Sequence, residues 1–113
     1  MATYNKCVYN IPAYQEGSLS DFEFDLDVNF PLANVSDITF QARDFKGEAF
    51  ISRKKSSNEI SLVDRTVKII FKPIDTKGHA GNNLYEIDFI DLQGNPFATI
   101  GGAFVISQQI NTL

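Results

Sequence analysis

The chain contains no tryptophan, one methionine, one cysteine and one histidine. Each scarcity excludes something. A lone Cys7 rules out an internal disulfide. Together with His79, the single imidazole, it falls short of the roughly four Cys and His ligands that a structural zinc site needs. Without Trp, the best stacking surface for a sugar is missing. No stretch approaches the about 18 apolar residues of a membrane span, and Met1–Lys6 has no apolar leader core. These features point to a protein made in a reducing cytosol. Asn34-Val35-Ser36 fits the glycosylation pattern, but without a secretion route it carries no weight.

Positive charge is also short. Ten Lys and Arg stand against fourteen Asp and Glu, a net charge of −4. That sign opposes duplex nucleic acid and anionic membrane as partners, because both need neutralising cations. Phosphate cradles are absent too: the glycines around His79 match neither GxxxxGK[ST] nor GxGxxG. A catalytic histidine needs a nucleophile or an orienting carboxylate, and no local signature surrounds His79, Cys7 or any serine. The sequence therefore assigns no catalytic residue, no cofactor and no metal ligand, and it reads His79 as a solvated loop residue.

What the chain does have is phenylalanine: ten Phe and four Tyr in 113 residues. Aromatic and β-branched side chains suit a pleated, half-buried surface, and the length fits one domain. The clearest pattern is Asp21-Phe22-Glu23-Phe24-Asp25-Leu26-Asp27-Val28-Asn29-Phe30, where polar and apolar residues alternate up to Pro31. Shorter alternations follow at 38–42, 49–52, 60–62, 67–71, 84–89 and 97–106. The turn signals between them are Asp44-Phe45-Lys46-Gly47, Pro73 and Asp91-Leu92-Gln93-Gly94-Asn95. Residues 75–83 read as a long polar loop with a helical turn near Pro73–Thr76. Gly101-Gly102 marks an expected bulge or bend. No internal repeat, linker or low-complexity segment stands out.

This is the pattern of an all-β, two-sheet sandwich of about 7–8 antiparallel strands. The expected core is Phe22, Phe24, Leu26, Val28, Phe40, Val67, Ile69, Phe71, Tyr85, Ile87, Phe89, Phe104 and Ile106. The domain runs over 21–107. Residues 1–20 form an N-terminal arm or first strand, and 108–113 form a C-terminal tail. Two charged features invite function. Asp21, Glu23, Asp25 and Asp27 project from one face of one strand; calcium prefers oxygens converging from a loop, so a solvated outer face is the better reading. Directly opposed charges on neighbouring strands contribute about 0.2–1 kcal/mol, so the strand carrying Lys68 and Lys72 is expected beside the acidic one. Arg53-Lys54-Lys55 reads as a solvated basic loop.

Several segments resemble a family of small phage and prophage virion proteins built on an immunoglobulin-like β-sandwich, including the N-terminal domains of baseplate and receptor-binding proteins. They are the Asp-Ile-Thr-Phe-Gln-Ala-Arg-Asp strand at 37–44, the Val-Lys-Ile-Ile-Phe-Lys-Pro strand at 67–73 and Leu-Tyr-Glu-Ile-Asp-Phe at 84–89. The Asp-Leu-Gln-Gly-Asn turn at 91–95 and Ile-Gly-Gly-Ala-Phe-Val-Ile at 100–106 complete the likeness, which covers roughly 20–107. It implies an immunoglobulin-like sandwich and a non-enzymatic subunit of a phage particle, in the tail, the baseplate or a fibre or decoration attachment. Such a subunit is made in the bacterial cytoplasm, resides in the virion and contacts other virion subunits or copies of itself through edge strands and loops. The alternative is a carbohydrate-binding module on the same scaffold, with Tyr4, Tyr9, Tyr14 and Phe45 as the available rings.

Overall fold

Alternation becomes strand along most of the chain. The computed structural model describes residues 5–8, 11–15 and 21–107, with side chains from 21 onward. Its strands are β1 (Asn5–Val8), β2 (Ile11–Gln15), β3 (Phe22–Asp25), β4 (Asp37–Arg43), β5 (Ala49–Lys54), β6 (Ile60–Val63), β7 (Thr66–Ile69), β8 (Gly81–Ile90) and β9 (Pro96–Ser107). One helical turn, α1 (Pro73–Thr76), and two 3-10 turns, Leu32–Asn34 and Lys55–Ser57, connect them.

The strands form two sheets. The larger has the order β1-β9-β8-β4-β5, with β2 also on β9, and the smaller is β3-β7-β6. Face to face they make the expected all-β sandwich. The strand count and direction differ from expectation, because the N-terminal segment supplies two strands that run parallel to β9. Parallel pairing to a strand at the far end of the chain leaves no turn signal in the sequence. Pro12 within β2 suits an edge position, where its missing N–H costs no ladder bond. The tail at 108–113 lies outside the described residues.

The core fills the space between the sheets. Phe40 of β4 sits at its centre, with ring centroids 5.4 Å from Phe71, 5.8 Å from Tyr85 and 6.4 Å from Phe104. Phe71, just past β7, also stacks on Phe104 at 5.7 Å, so the small sheet is tied to β4 and β9 through rings. Eleven of the thirteen expected core residues are buried. Phe24 is half-buried, and Val28 is 74% exposed. The reason is that β3 ends at Asp25 rather than running to Phe30. Asp27 then folds the chain into a turn, accepting the Asn29 N–H on its side chain (2.8 Å) and the Phe30 N–H on its carbonyl (2.9 Å). Phe30 re-enters the core at 4.8 Å from Phe89. Ile38, Ala42, Ile51, Ile60 and Ala98 are buried as well. They lie in the alternating runs at 38–42, 49–52, 60–62 and 97–106, with Ile38 and Ala42 on the same face as Phe40.

Two further expectations change. The β8–β9 ladder passes regularly through Gly101 and Gly102, and its irregularity lies at Phe89/Ile90 opposite Pro96–Ala98. The polar loop ends earlier than expected: Gly81–Asn83 already belong to β8, although the helical turn at Pro73–Thr76 is present.

Asp37 anchors the start of β4. Its Oδ1 accepts the N–H groups of Ile38 (2.8 Å) and Ser56 (3.0 Å), which pins the Lys55–Ser57 turn. Partial burial alone raises its pKa, but the hydrogen bonds from Ser56 and Ile38 and the nearby Lys54 outweigh it and hold the carboxyl below its usual value. A depressed carboxyl stabilises the fold above its unfolded pKa, and that contribution is lost as pH falls through the folded one. Asp37→Asn should lower stability at neutral pH and flatten the acid limb of the stability–pH curve, measured by urea unfolding at stepped pH. Phe40→Ala should cost about 3–5 kcal/mol in the same assay.

Candidate functional site

The acidic face of β3 is committed to structure. β3 pairs antiparallel with β7, and Glu23 lies directly opposite Lys68, as the charge pattern requires. Lys68 Nζ reaches Asp21 Oδ2 at 3.5 Å. Thr66 Oγ1 donates to Asp25 at 2.7 Å, and Asp21 Oδ1 accepts the Phe71 N–H at 3.3 Å. Lys72 lies beyond the end of β7, where it caps α1, so only Lys68 of the expected pair faces the acidic strand. An exposed ion pair of this kind contributes at most about 1 kcal/mol. Its value is in register, because a one-residue slip would turn Phe22 out of the core.

The basic cluster is not a loop. Arg53 and Lys54 end β5, and Lys55 opens the 3-10 turn. Arg53 points inward and is ion-paired with Asp75, with 12% and 11% of the two side chains exposed. Its guanidinium also donates to the carbonyls of Ile70 (3.2 Å) and Ser52 (3.0 Å), while Asp75 accepts the Lys72 N–H at 2.6 Å. One buried pair thus fastens α1 to β5. His79, expected to be solvated, is half-buried and stacked on Phe50, with centroids 4.1 Å apart and planes at 13°.

The two hairpins of the large sheet share a construction that the reading of the sequence missed. Asp44-Phe45-Lys46-Gly47-Glu48-Ala49-Phe50 and Asp91-Leu92-Gln93-Gly94-Asn95-Pro96-Phe97 both follow Asp-x-x-Gly-x-x-Phe. In each, the Asp carboxylate accepts two loop N–H groups: Lys46 and Glu48 at 2.9 and 3.0 Å, Gln93 and Asn95 both at 2.9 Å. In each, Gly takes the left-handed conformation, with φ 86° at Gly47 and 84° at Gly94, which a Cβ disfavours. The ladder then skips one residue, Phe50 in one hairpin and Phe97 in the other. Phe50 meets His79, and Phe97 meets Phe30 at 5.8 Å. The recurring seven-residue spacing was the available signal.

The second position of each loop is a large apolar side chain held in solvent: Phe45 is 84% exposed and Leu92 66%. β4 and β8 are antiparallel neighbours, so the two loops occupy opposite ends of the sheet. Leu84, opposite Arg43, is exposed beside the first; Val28 and Val63 are exposed at the second. Leu26 N–H bonds the Arg65 carbonyl (2.7 Å), and Arg65 Nη1 bonds the carbonyls of Asp27 (2.6 Å) and Phe30 (3.1 Å). These bonds bring the 26–30 loop and the β6–β7 turn together beside Phe89 and Phe97.

A shallow cleft of about 520 Å³ lies among Gln41, Arg43, Leu84, Tyr85, Glu86, Gly101 and Gly102. It holds one guanidinium, hydrogen-bonded to Gln41 (2.8 Å), and one carboxylate, with no nucleophile beside a base. Among the described residues no group of three His, Cys, Asp or Glu converges on a metal position, and no helix is long and apolar enough to cross a membrane. Cys7, Tyr4, Tyr9 and Tyr14 have side chains outside the described set. Phe45 is the candidate sugar-stacking ring within it, with Lys46 Nζ 5.7 Å from its centroid. No protein-family model and no curated protein matches the chain.

Removing one partner of the Arg53–Asp75 pair strands the other. Arg53→Met should cost about 2–4 kcal/mol, discounted for the residual exposure. The double variant Arg53→Met/Asp75→Asn should recover part of that loss, since the new amide still offers an acceptor to the Lys72 N–H. A denaturant-based double-mutant cycle measures both.

Proposed function

We propose that the protein is a non-catalytic structural subunit acting through protein–protein contacts, and that its setting is a phage particle: tail, baseplate, or a fibre or decoration attachment. The observation that carries the contact reading is the exposure of large apolar side chains at both ends of the sandwich, Phe45 and Leu84 at one and Val28, Val63 and Leu92 at the other. Exposed apolar residues on loops and outer strand faces, with the core already closed behind them, suit surfaces that meet partners. The polar chemistry argues the same way: Asp21 and Asp25 beside β7, the Arg53–Asp75 pair and the turn aspartates are all engaged in holding the fold. The phage setting rests on the resemblance of the 37–44, 67–73, 84–89, 91–95 and 100–106 segments to virion sandwich proteins.

Quantitative mass spectrometry of purified particles from the host that encodes the chain tests the setting. The expected result is the protein at a fixed, stoichiometric ratio to known particle components. Its absence from particles, with the protein present in the lysate, would overturn the phage reading.

A further inference from the structure

Three strands with described side chains border a sheet: β5 the large one, β3 and β6 the small one. An edge strand offers unpaired N–H and C=O groups to any strand that approaches, and folded proteins guard such edges with charge, bulges or cover. β5 is closed. The Glu59 N–H donates to the Lys54 carbonyl (3.1 Å), Glu59 Oε1 accepts the Lys54 N–H (3.1 Å), and Arg53 Nη1 donates to the Ser52 carbonyl (3.0 Å). β3 is guarded by charge. Antiparallel pairs alternate between bonded and non-bonded. The bond from the Leu26 N–H to the Arg65 carbonyl sets that alternation, so Phe22 and Phe24 bond β7 while Glu23 and Asp25 turn their backbone groups outward. Both outward residues are acidic.

β6 has neither defence. The Ile70 N–H donates to the Glu59 carbonyl (3.3 Å). By the same alternation Ser61 and Val63 bond β7, and Ile60 and Leu62 turn their N–H and C=O groups outward. Among the described residues the Leu62 N–H and C=O have no hydrogen-bond partner. Ile60 is buried, so the half-buried Leu62 is where the edge lies open. The strand Ile60-Ser61-Leu62-Val63 contains no charge and no proline, and its Val63 is 65% exposed. We infer that two copies of this chain pair antiparallel through β6, joining their three-stranded sheets edge to edge. The inference rests on the protein–protein reading above and names its partner as a second copy. Such a two-fold contact closes on itself and does not grow.

The residues of β6 suit their own copy. With Leu62 of one molecule opposite Leu62 of the other, the two exchange both backbone hydrogen bonds on the two-fold axis. On the outer face of the small sheet, Val63 then lies opposite Ser61 of the other copy and is covered. Around the axis Glu59 faces Arg65 and Asp64 faces Ile60, so no carboxylate meets a carboxylate and no cation a cation. Lys54 and Lys55 precede the strand and lie outside the overlap. Pairing through β3 instead would set Glu23 or Asp25 against another carboxylate, which is destabilising. The contact is one short strand wide, so the dimer is reversible and depends on concentration.

The test uses two variants of the full chain, Ser61→Glu/Val63→Glu and Ser61→Lys/Val63→Lys, each altered only on the outer face of β6. The first places a carboxylate opposite Lys68 of its own β7, which favours the monomer's fold. Thermal unfolding checks that both stay folded. In sedimentation velocity over a concentration series, the wild type should double in mass and stop there. Over the same range the Leu62 amide, followed by NMR, should exchange more slowly with solvent. Each variant alone should stay a monomer, because like charges meet across the axis. An equimolar mixture should double in mass, since opposite charges then meet. A wild type that stays monomeric up to its solubility limit overturns the inference. So does a glutamate variant that dimerises like the wild type, a mixture of folded variants that stays monomeric, or a dimer that leaves Leu62 exchange unchanged. If the lysine variant fails to fold, the glutamate variant and Leu62 exchange decide alone. A monomeric wild type found at fixed stoichiometry in particles would defeat the pairing while leaving the structural-subunit reading intact.

Discussion

The ring of Phe40 is where the two sheets are joined. It contacts Phe71 from the small sheet and Tyr85 and Phe104 from its own. The strands of the small sheet are short, with four residues each in β3, β6 and β7 against a usual about 5–6. They persist because Phe22, Val67, Ile69 and Phe71 have a larger apolar face to cover. Tilted and stacked aromatic pairs add about 0.5–1.5 kcal/mol each beyond their buried area, so this cluster fixes how the sheets sit as well as that they meet. A chain with neither disulfide nor tryptophan obtains its rigidity from phenylalanine.

Around that core, polar groups do two jobs. Some set register: Glu23 against Lys68, and Asp25 with Thr66. Others fasten connections to strands. Arg53 and Asp75 bind α1 to β5, Asp37 holds the Lys55–Ser57 turn, and Arg65 gathers the 26–30 loop. Each of these groups is engaged in holding one element of the fold to another. Beyond these groups the described surface carries a shallow cleft and exposed apolar side chains at both ends of the large sheet.

The paired hairpins give those ends a common origin. An Asp that closes the loop, a Gly at positive φ and a Phe set off from the ladder recur at 44–50 and 91–97. The device fixes the backbone tightly and leaves its second residue unconstrained, so Phe45 and Leu92 are presented to solvent on a closed loop. Stiff loops on a scaffold are good recognition elements, because little entropy is lost when they dock.

The sequence by itself determined the strand faces, the all-β class, most of the core and the pairing of the acidic strand with the Lys68 strand. Period-two alternation and opposed charge are local signals, and they survive into the fold because side chains on a pleat cannot change face without a register slip. It did not determine where β3 stops, since alternation continues to Phe30 while the Asp27 turn ends the ladder at Asp25. It also could not show that β1 and β2 run parallel to β9, that Arg53 turns inward to Asp75, or that His79 lies on Phe50. Each of these joins residues far apart in the chain, where no spacing rule applies. The scarcity of Cys, His and Trp shaped only what chemistry to expect; the tertiary structure decided which apolar residues are left in water and at which end, because only the packed sheets fix that.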